Sequence, residues 1–180
     1  MKKNNLKSLT IKSVSDDLYC SNTNNSVTVN MGVPKFSWNE IPLSKELDTQ
    51  NVKLDEFRAF CLSMGNPHAV IFIDDLKEIE NLDLTSIGPR LEKHPTFPDF
   101  ANIEFVSVLE DKSLRMRVWE RGVGVTSACG SGACASLIAA SVLNKSKKEN
   151  KIVLDGGNLF IKWLDDGSVA LSGDTEKVFE

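Results

Sequence analysis

Short runs of alternating or β-branched hydrophobic residues recur along the chain and are separated by Asn, Asp, Gly or Pro. Eight such runs read LKSLTIKSV, NSVTVNMGV, AVIFIDDL, NIEFVSVL, SLRMRVWE, NKIVLDGG, NLFIKWL and SVALSG. A period of two between turn residues is typical of β-strands. Asp-Asp-Gly at 165–167 separates the last two runs and predicts a tight hairpin. The chain is therefore predicted to be rich in strands.

One segment, from Gly132 to Lys145, has a strong helical pattern. It is small or apolar on all sides, which predicts a buried helix rather than an amphipathic one. A second, weaker helical pattern covers Leu76 to Glu92. Many strands around one buried helix predict an α+β fold, in which a curled, mostly antiparallel sheet or barrel wraps that helix. No alternation of β, α and β elements is expected.

Composition narrows the class of protein. A chain of 180 residues with 41% hydrophobic and 26% charged residues is typical of one globular domain. The net charge of -4 gives no general attraction to nucleic acid or to an anionic membrane. The N-terminal stretch lacks the apolar core of a secretory signal, and no apolar run is long enough to span a bilayer. We therefore expect a cytoplasmic protein with four reduced thiols: Cys20, Cys61, Cys129 and Cys134.

The stretch VWERGVGVTSACGSGACASLIAAS runs from a strand pattern through a glycine-rich loop into the buried helix. Cys129 stands where the loop becomes a helix. If the helix begins near Gly130, its first amide N–H groups are unpaired and form an anion site. A thiol there is expected to have a lowered pKa and to be reactive. The alternative is a small, inert cysteine packed at a helix start.

Three other types of site were weighed for this region. GSGACA matches the dinucleotide pattern G-x-G-x-x-A, with Asp155 at a suitable distance, but its glycines do not follow a strand directly. A phosphate-binding P-loop requires a Gly-Lys-Ser/Thr sequence that is absent here. A zinc site lacks paired ligand spacing, although four candidate ligands exist: Cys129, Cys134, His68 and His94. The sequence favours none of the three.

Three further segments carry polar candidates. In SMGNPHAVIF, the Asn-Pro turn precedes a strand and would hold Asn66 and His68 at the mouth of a sheet. In FPDFANIEFV, Asn102 begins a strand. In WERG, Glu120 and Arg121 end a strand beside the glycine-rich loop, where an arginine can grip a carboxylate with two hydrogen bonds. Each also has an ordinary explanation, as a loop histidine, a strand-start asparagine or an exposed ion pair.

Taken in order, VNMGVP, SMGNPHAVIF, IGPRLEKHPTFPDFANIEFV and RVWERGVGVTSACGSGACA resemble the diaminopimelate epimerase family, from about Leu6 to Glu180. The resemblance implies interconversion of L,L- and meso-2,6-diaminopimelate, on the route to lysine and peptidoglycan, without pyridoxal phosphate, another cofactor or a metal. Two cysteines would flank the substrate α-carbon, one removing a proton as thiolate and the other delivering one as thiol. Cys129 matches the second. A homodimer is implied, with Phe179 in its contact.

The resemblance also assigns roles to the remaining candidates. Gly130 and Ser131 match the helix-start groups that bind the α-carboxylate, and Glu120 matches a residue that holds an ammonium group. His68 and Glu120 match groups proposed to tune the thiol pKa values. The other substrate-binding matches are Asn66, Asn102 and Arg121. Two helix starts aimed at one carboxylate would stabilise a carbanion without a cofactor.

The chain departs from the family pattern mainly at its beginning. The family has two similar halves, and the first carries its own cysteine in a Met-Cys-Gly-Asn-Gly type motif that this sequence lacks. Smaller departures are Val125 before Thr126, and LSGDTEKVFE where Thr-Gly-Pro is common. We expect the second half alone: residues 1–12 as a flank pairing with the missing half, 13–168 as the domain, and 169–180 as a returning tail.

Four functions remain open at this point. The first is an epimerase that needs the missing half. The second is a non-catalytic remnant that keeps the anion-binding helix start, and the third is a racemase related to the proline racemase-like group. The fourth is a cysteine hydrolase, which requires a histidine base oriented by a third group, and His68 is its one candidate.

Overall fold

The computed structural model describes residues 6–12, 17–23 and 26–175. Within them, one twelve-stranded sheet has the order β1-β2-β3-β12-β11-β10-β8-β7-β6-β5-β4, with β9 pairing β8. The helices are α1 Leu76–Asn81, α2 Leu84–Glu92 and α3 Gly130–Val142. The strands are β1 Ser8–Lys12, β2 Asp17–Thr23, β3 Ser26–Asn30, β4 Val52–Leu54, β5 Phe57–Ser63, β6 Pro67–Phe72, β7 Asn102–Val108, β8 Leu114–Glu120, β9 Gly124–Val125, β10 Glu149–Leu154, β11 Gly157–Trp163 and β12 Val169–Asp174.

Helix α3 lies in the concavity of the sheet and contacts strands β5 to β8 and β10 to β12. Residues Gly132 to Ala140 are all buried, as the apolar pattern predicted. The helix begins two residues earlier than predicted and ends three earlier. It ends because Asn144 adopts a left-handed φ of 57° and the Lys145 N–H turns back to the Ala140 carbonyl, 2.8 Å away. The predicted fold, a curled sheet around a buried helix, is confirmed.

The two faces of the sheet bury different cores. Along β5, Phe60 and Leu62 face the cluster around α3, whereas Ala59 and Cys61 face a second cluster with α1 and α2. Alternate residues of a strand point to opposite faces, so β5 is hydrophobic on both. This strand was not predicted, because a strand buried on both faces loses the alternating pattern.

The segment predicted as one helix, Leu76 to Glu92, forms two. The side chain of Asp75 caps α1 by accepting from the Lys77 N–H, 2.8 Å away. Asp83 interrupts the segment and caps α2, accepting from the N–H groups of Thr85 and Ser86. An aspartate favours such a cap over the interior of a helix.

The expectation that no β-α-β connection exists is wrong. β6 and β7 are parallel neighbours joined through α1 and α2, and β8 and β10 are parallel neighbours joined through α3. Even so, residues 121–129 separate β8 from α3, and Asp155 forms ion pairs with Arg115 and Arg117. The glycines therefore lack the direct strand-to-helix turn of a dinucleotide site.

The predicted hairpin at residues 165–167 is present, connecting antiparallel β11 and β12. β12 also pairs β3, which joins the N-terminal strands to the rest of the sheet. The Thr28 and Ser172 hydroxyls lie 2.8 Å apart across this junction. Among the described residues, no helix is long and apolar enough to cross a membrane.

Candidate functional site

Cys129 is the N-cap residue of α3, with extended backbone angles φ -136° and ψ 110°. Its Sγ accepts a hydrogen bond from the Gly132 N–H at 3.4 Å and lies 3.7 Å from the Ser131 hydroxyl oxygen. Its carbonyl accepts the first intrahelical bond, from the Ala133 N–H at 2.9 Å. The N–H groups of Gly130 and Ser131 precede that bond at the start of the helix. The predicted placement of the thiol at a helix start is confirmed.

The predicted lowering of the Cys129 pKa is wrong. Burial of the thiol and the nearby negative charge of Glu104 raise its pKa to about 11, and the Gly132 amide and Ser131 hydroxyl offset only part of that rise. The helix start was expected to dominate because the sequence shows a cap but not a buried carboxylate beneath it. At neutral pH the group is therefore a thiol.

The other three cysteines do not share this setting. Cys61 and Cys134 are fully buried, and burial raises the pKa of both thiols further than that of Cys129. Cys20 lies in β2 with its sulfur 3.9 Å from the Leu18 carbonyl oxygen. Cys129 is the most exposed of the four, although only 7% of its surface is accessible.

A chain of hydrogen bonds runs from the start of β6 to the start of α3. The His68 Nε2 lies 3.0 Å from the Asn66 Oδ1, and the Asn66 Nδ2 donates to the Ser131 Oγ at 3.5 Å. The structure therefore brings together three residues that the sequence assigned separately. His68 is fully buried, so it supports the site from beneath rather than lining it.

Glu104 is a site residue that the sequence analysis missed. Its side chain is fully buried, and its Oε1 lies 2.6 Å from the His68 Nδ1. It stands in β7, where Asn102 to Ser107 are all buried. A glutamate inside the run NIEFVSV was the signal that could have revealed it, since an acidic residue is almost never fully buried without a partner.

Asn102 joins the two loops that flank the site. Its Nδ2 donates to the Pro67 carbonyl at 2.9 Å, and its Oδ1 accepts from the Arg121 N–H at 3.0 Å. The Arg121 guanidinium is exposed and donates to the Asp99 carbonyl at 3.1 Å. Asn102 thus fixes the position of the Arg121 backbone at the end of β8.

Two hydrogen bonds to a buried carboxylate hold the segment that follows β8. Glu92 is buried and accepts from the Trp119 Nε1 at 2.7 Å and from the Gly122 N–H at 2.8 Å. Between these anchors lies Glu120, whose carboxylate accepts a hydrogen bond from the Thr126 hydroxyl. The carboxylate of Glu92 therefore holds in place the turn that carries Glu120 and Arg121.

A cleft of about 640 Å³ opens beside the start of α3. Asn66 and Ser131 form part of its wall, and the opposite wall comes from the N-terminal strands. The volume lies within the range of small-molecule sites. Its other lining residues are Asp17, Leu18, Tyr19, Asn30, Met31, Gly32, Val33, Lys35, Met64 and Gly65.

Of the remaining candidates, His94 lies away from the start of α3. His94 contacts Thr96 through Nδ1, 3.0 Å from the hydroxyl oxygen. Phe179 lies outside the described residues. Within residues 6–12, 17–23 and 26–175, no group of three or more His, Cys, Asp or Glu side chains is placed to hold a metal ion.

Comparison with known sequences gives a consistent result. The sequence profile described as diaminopimelate epimerase matches residues 60–178. The diaminopimelate epimerase of Phocaeicola vulgatus is 46% identical over 160 residues, covering 86% of this chain and 56% of that protein. That of Bacillus mycoides is 46% identical over 156 residues, covering 82% and 53%. The chain thus spans about half the length of the curated relatives it matches.

Solved structures share the fold at low sequence identity. A predicted epimerase from Pseudomonas aeruginosa superposes with a TM-score of 0.60 and 15% identity, covering 96% of this chain and 67% of that one. A hydroxyproline epimerase from Agrobacterium vitis, with bound trans-4-hydroxy-L-proline, gives 0.59 and 15%, covering 93% and 56%. These similarities establish the fold.

Proposed function

The chain belongs to the diaminopimelate epimerase family, and we propose that it supplies the half of the active site that carries the second catalytic cysteine. In this proposal Cys129 serves one face of the α-carbon of 2,6-diaminopimelate. A cysteine from a first half serves the opposite face, and the L,L and meso forms interconvert without a cofactor. The reaction would take place in the cytoplasm, in lysine and peptidoglycan synthesis.

The observation that carries the proposal is the position of the Cys129 sulfur at the start of α3, where it accepts a hydrogen bond from the Gly132 N–H at 3.4 Å. A pKa of about 11 keeps it a thiol at neutral pH, which is the form that can donate a proton. The opposing thiolate takes the α-proton and the electron pair stays on carbon. The S–H of Cys129 then protonates that carbon from the other side and becomes a thiolate.

The helix start is proposed to hold the reacting carboxylate. The N–H groups of Gly130 and Ser131 precede the first intrahelical bond, so they are free of helix partners and carry the positive end of the helix dipole. Charge that develops on the carboxylate oxygens as the α-proton leaves would be stabilised there. The Ser131 hydroxyl stands between this position and the Asn66 amide.

The remaining contacts are proposed to fix the distal part of the substrate. Glu120 would bind an ammonium group as a carboxylate, and Arg121 would bind a carboxylate through its exposed guanidinium. Asn66 borders the cleft and can donate from its amide. Asn102 already bonds Pro67 and Arg121, so its contribution to binding would come largely from positioning Arg121.

The first half is proposed to be needed for turnover. Inversion requires groups on both faces of the α-carbon, and the other described cysteines are buried at 2% exposure or less. The flank at residues 1–12 and the tail at residues 169–180 would contact that half. Assembly into a homodimer, with Phe179 at the contact, is proposed for the complete enzyme.

The test is to incubate the chain with L,L-diaminopimelate in deuterated water, then follow the meso isomer by chiral chromatography and deuterium at the α-carbon by mass spectrometry. We expect background activity alone, because loss of one oxyanion-type donor already costs about 2.7–4 kcal/mol. Adding the first half of the Phocaeicola vulgatus relative should restore turnover, and Cys129→Ala should abolish it. Turnover before that addition would contradict the requirement for the half. No exchange after it, with the complex formed, would favour a non-catalytic remnant.

A further inference from the structure

Both ring nitrogens of His68 face hydrogen-bond acceptors. The Nδ1 lies 2.6 Å from the Glu104 Oε1, and the Nε2 lies 3.0 Å from the Asn66 Oδ1. At its other end the Asn66 amide meets Ser131, with the Nδ2 lying 3.5 Å from the Ser131 Oγ. A neutral imidazole has only one N–H and cannot donate to both neighbours, whereas an imidazolium can.

The surroundings supply the charge that an imidazolium requires. His68 and Glu104 are both fully buried, and a buried charge persists only when it is paired and hydrogen-bonded. The two side chains come from parallel neighbours, since His68 is the second residue of β6, opposite Asn102, and Glu104 follows two residues along β7. Together they form a pair with no net charge.

A second observation shows that Glu104 is not simply a satisfied core residue. Its Oε2 is buried and has no hydrogen-bond partner among the described residues. Such an atom is costly, and a glutamine would offer His68 the same acceptor without the charge. The other titratable groups that face this carboxylate are Cys61 on β5 and Cys129 at the start of α3.

We propose that Glu104 is a positioning residue: it holds His68 in the doubly protonated form, and through it fixes the Asn66 amide with its NH₂ group directed at Ser131. The direction of each hydrogen bond in the chain then follows from the charged His68–Glu104 pair. Each ring N–H of His68 donates outward, so Asn66 must present oxygen to His68 and nitrogen to the mouth of the site. This proposal rests on the proposed function only in one respect, that Asn66 and Ser131 contact the substrate.

The protonation of His68 can be observed without any activity. The chain has only two histidines, His68 and His94, so histidine labelled with ¹⁵N gives two ring spin systems, and His94→Gln assigns them. At pH 7.5 we expect protons on both ring nitrogens of His68. In Glu104→Gln we expect a proton on only one. Glu92→Gln, which alters another buried carboxylate, should leave His68 unchanged and serves as the matched control.

Two outcomes would overturn the proposal. One is an unprotonated Nδ1 in the unaltered chain, which would place the shared proton on Glu104; this result needs no variant to fold. The other is a folded Glu104→Gln chain, judged by its dispersed amide spectrum, whose His68 keeps both protons.

Steady-state kinetics test whether the hydrogen bonds from Glu104 through His68 to Asn66 affect substrate binding. In the complex with the first half, Glu104→Gln should raise KM for diaminopimelate about tenfold, as expected for one misdirected binding hydrogen bond, whereas a change in kcat would report the loss of the Glu104 charge beside Cys129. An unchanged KM would contradict the assigned role. Failure of the complex to turn over would contradict the proposed function instead, and the NMR result would stand independently.

Discussion

Gly132 approaches the carboxylate of Glu104 so closely that a β-carbon at this position would lie 2.8 Å from the Glu104 Oε1. The same atom would lie 3.2 Å from the Cys129 sulfur. Real β-carbons do not tolerate the first distance, and the carboxylate that would have to move is held by His68. The glycine therefore allows the thiol, the helix start and the buried carboxylate to share one small volume.

Gly132→Ala is expected to lower the free energy of unfolding by about 1–3 kcal/mol, because overpacking forces shifts in a filled core. Urea denaturation followed by circular dichroism measures it. Gly130→Ala is the matched control in the same helical turn, where the new methyl meets only the flexible end of Leu171 at 3.1 Å. Equal stability of the two variants would show that the carboxylate yields easily.

Removing the brace under the loop after β8 should also destabilise the chain. Glu92→Ala leaves the Trp119 indole N–H and the Gly122 N–H without their acceptor, and each lost hydrogen bond costs about 0.5–1.5 kcal/mol because both are only partly buried. We expect a lower urea midpoint and a shifted Trp119 indole resonance. Glu110→Gln, on an exposed turn, is the control. An unchanged indole resonance in Glu92→Ala would contradict the proposed role of Glu92 in holding this loop.

The alkylation of Cys129 should depend steeply on pH. Because its pKa is raised to about 11, the thiolate fraction rises about tenfold for each unit of pH between 7 and 10. Limited iodoacetamide treatment with peptide mapping should show that rise, with Cys129 labelled before Cys61 and Cys134. Cys129→Ser identifies its contribution. A rate that levels off near pH 8.5 would indicate an ordinary thiol, and earlier labelling of Cys61 would contradict the site assignment.

The isolated chain is expected to self-associate through its N-terminal strands. Ile11, in the flank proposed to contact the first half, is exposed at 48%, and Tyr19 and Val33, which line the cleft, are exposed at 54% and 59%. Exposed apolar side chains that a partner would otherwise cover favour association. Light scattering should show larger species at high concentration, and Tyr19→Lys should reduce them. Leu76→Lys changes an exposed leucine on α1 and is the control. A monomer at all concentrations would contradict this expectation.

The sequence predicted the elements whose pattern is local. The hydrophobic run of α3, the hairpin at 165–167 and the strand starts at Asn102 and after Asn66 all follow from nearest-neighbour chemistry. Four strands escaped prediction: β4 and β9 are short, β5 is buried on both faces, and β2 ends in the polar residues Ser-Asn-Thr without an alternating pattern. The parallel pairings also escaped it, because they depend on which distant strands meet.

The candidate site likewise has features that the sequence predicted and features that it did not. The position of Cys129 at a helix start could be predicted from glycines and small residues around it. The raised pKa could not, because it arises first from burial of the thiol and then from Glu104, which is 25 positions away in the sequence and reaches the sulfur only through the fold. His68 and Ser131 were assigned by resemblance, and their connection through Asn66 required coordinates.

The junction of β3 with β12 has a consequence for how the chain folds. Thr28 and Ser172, which meet there, are 144 residues apart in sequence. Closing so long a loop costs entropy before any contact rewards it, and non-local pairing slows folding. During synthesis β1 to β3 would emerge long before their partner β12 and would dock late, after almost all the strands between them have left the ribosome. The exposed edge of these N-terminal strands is thus the part most open to a chaperone or to mispairing during that interval.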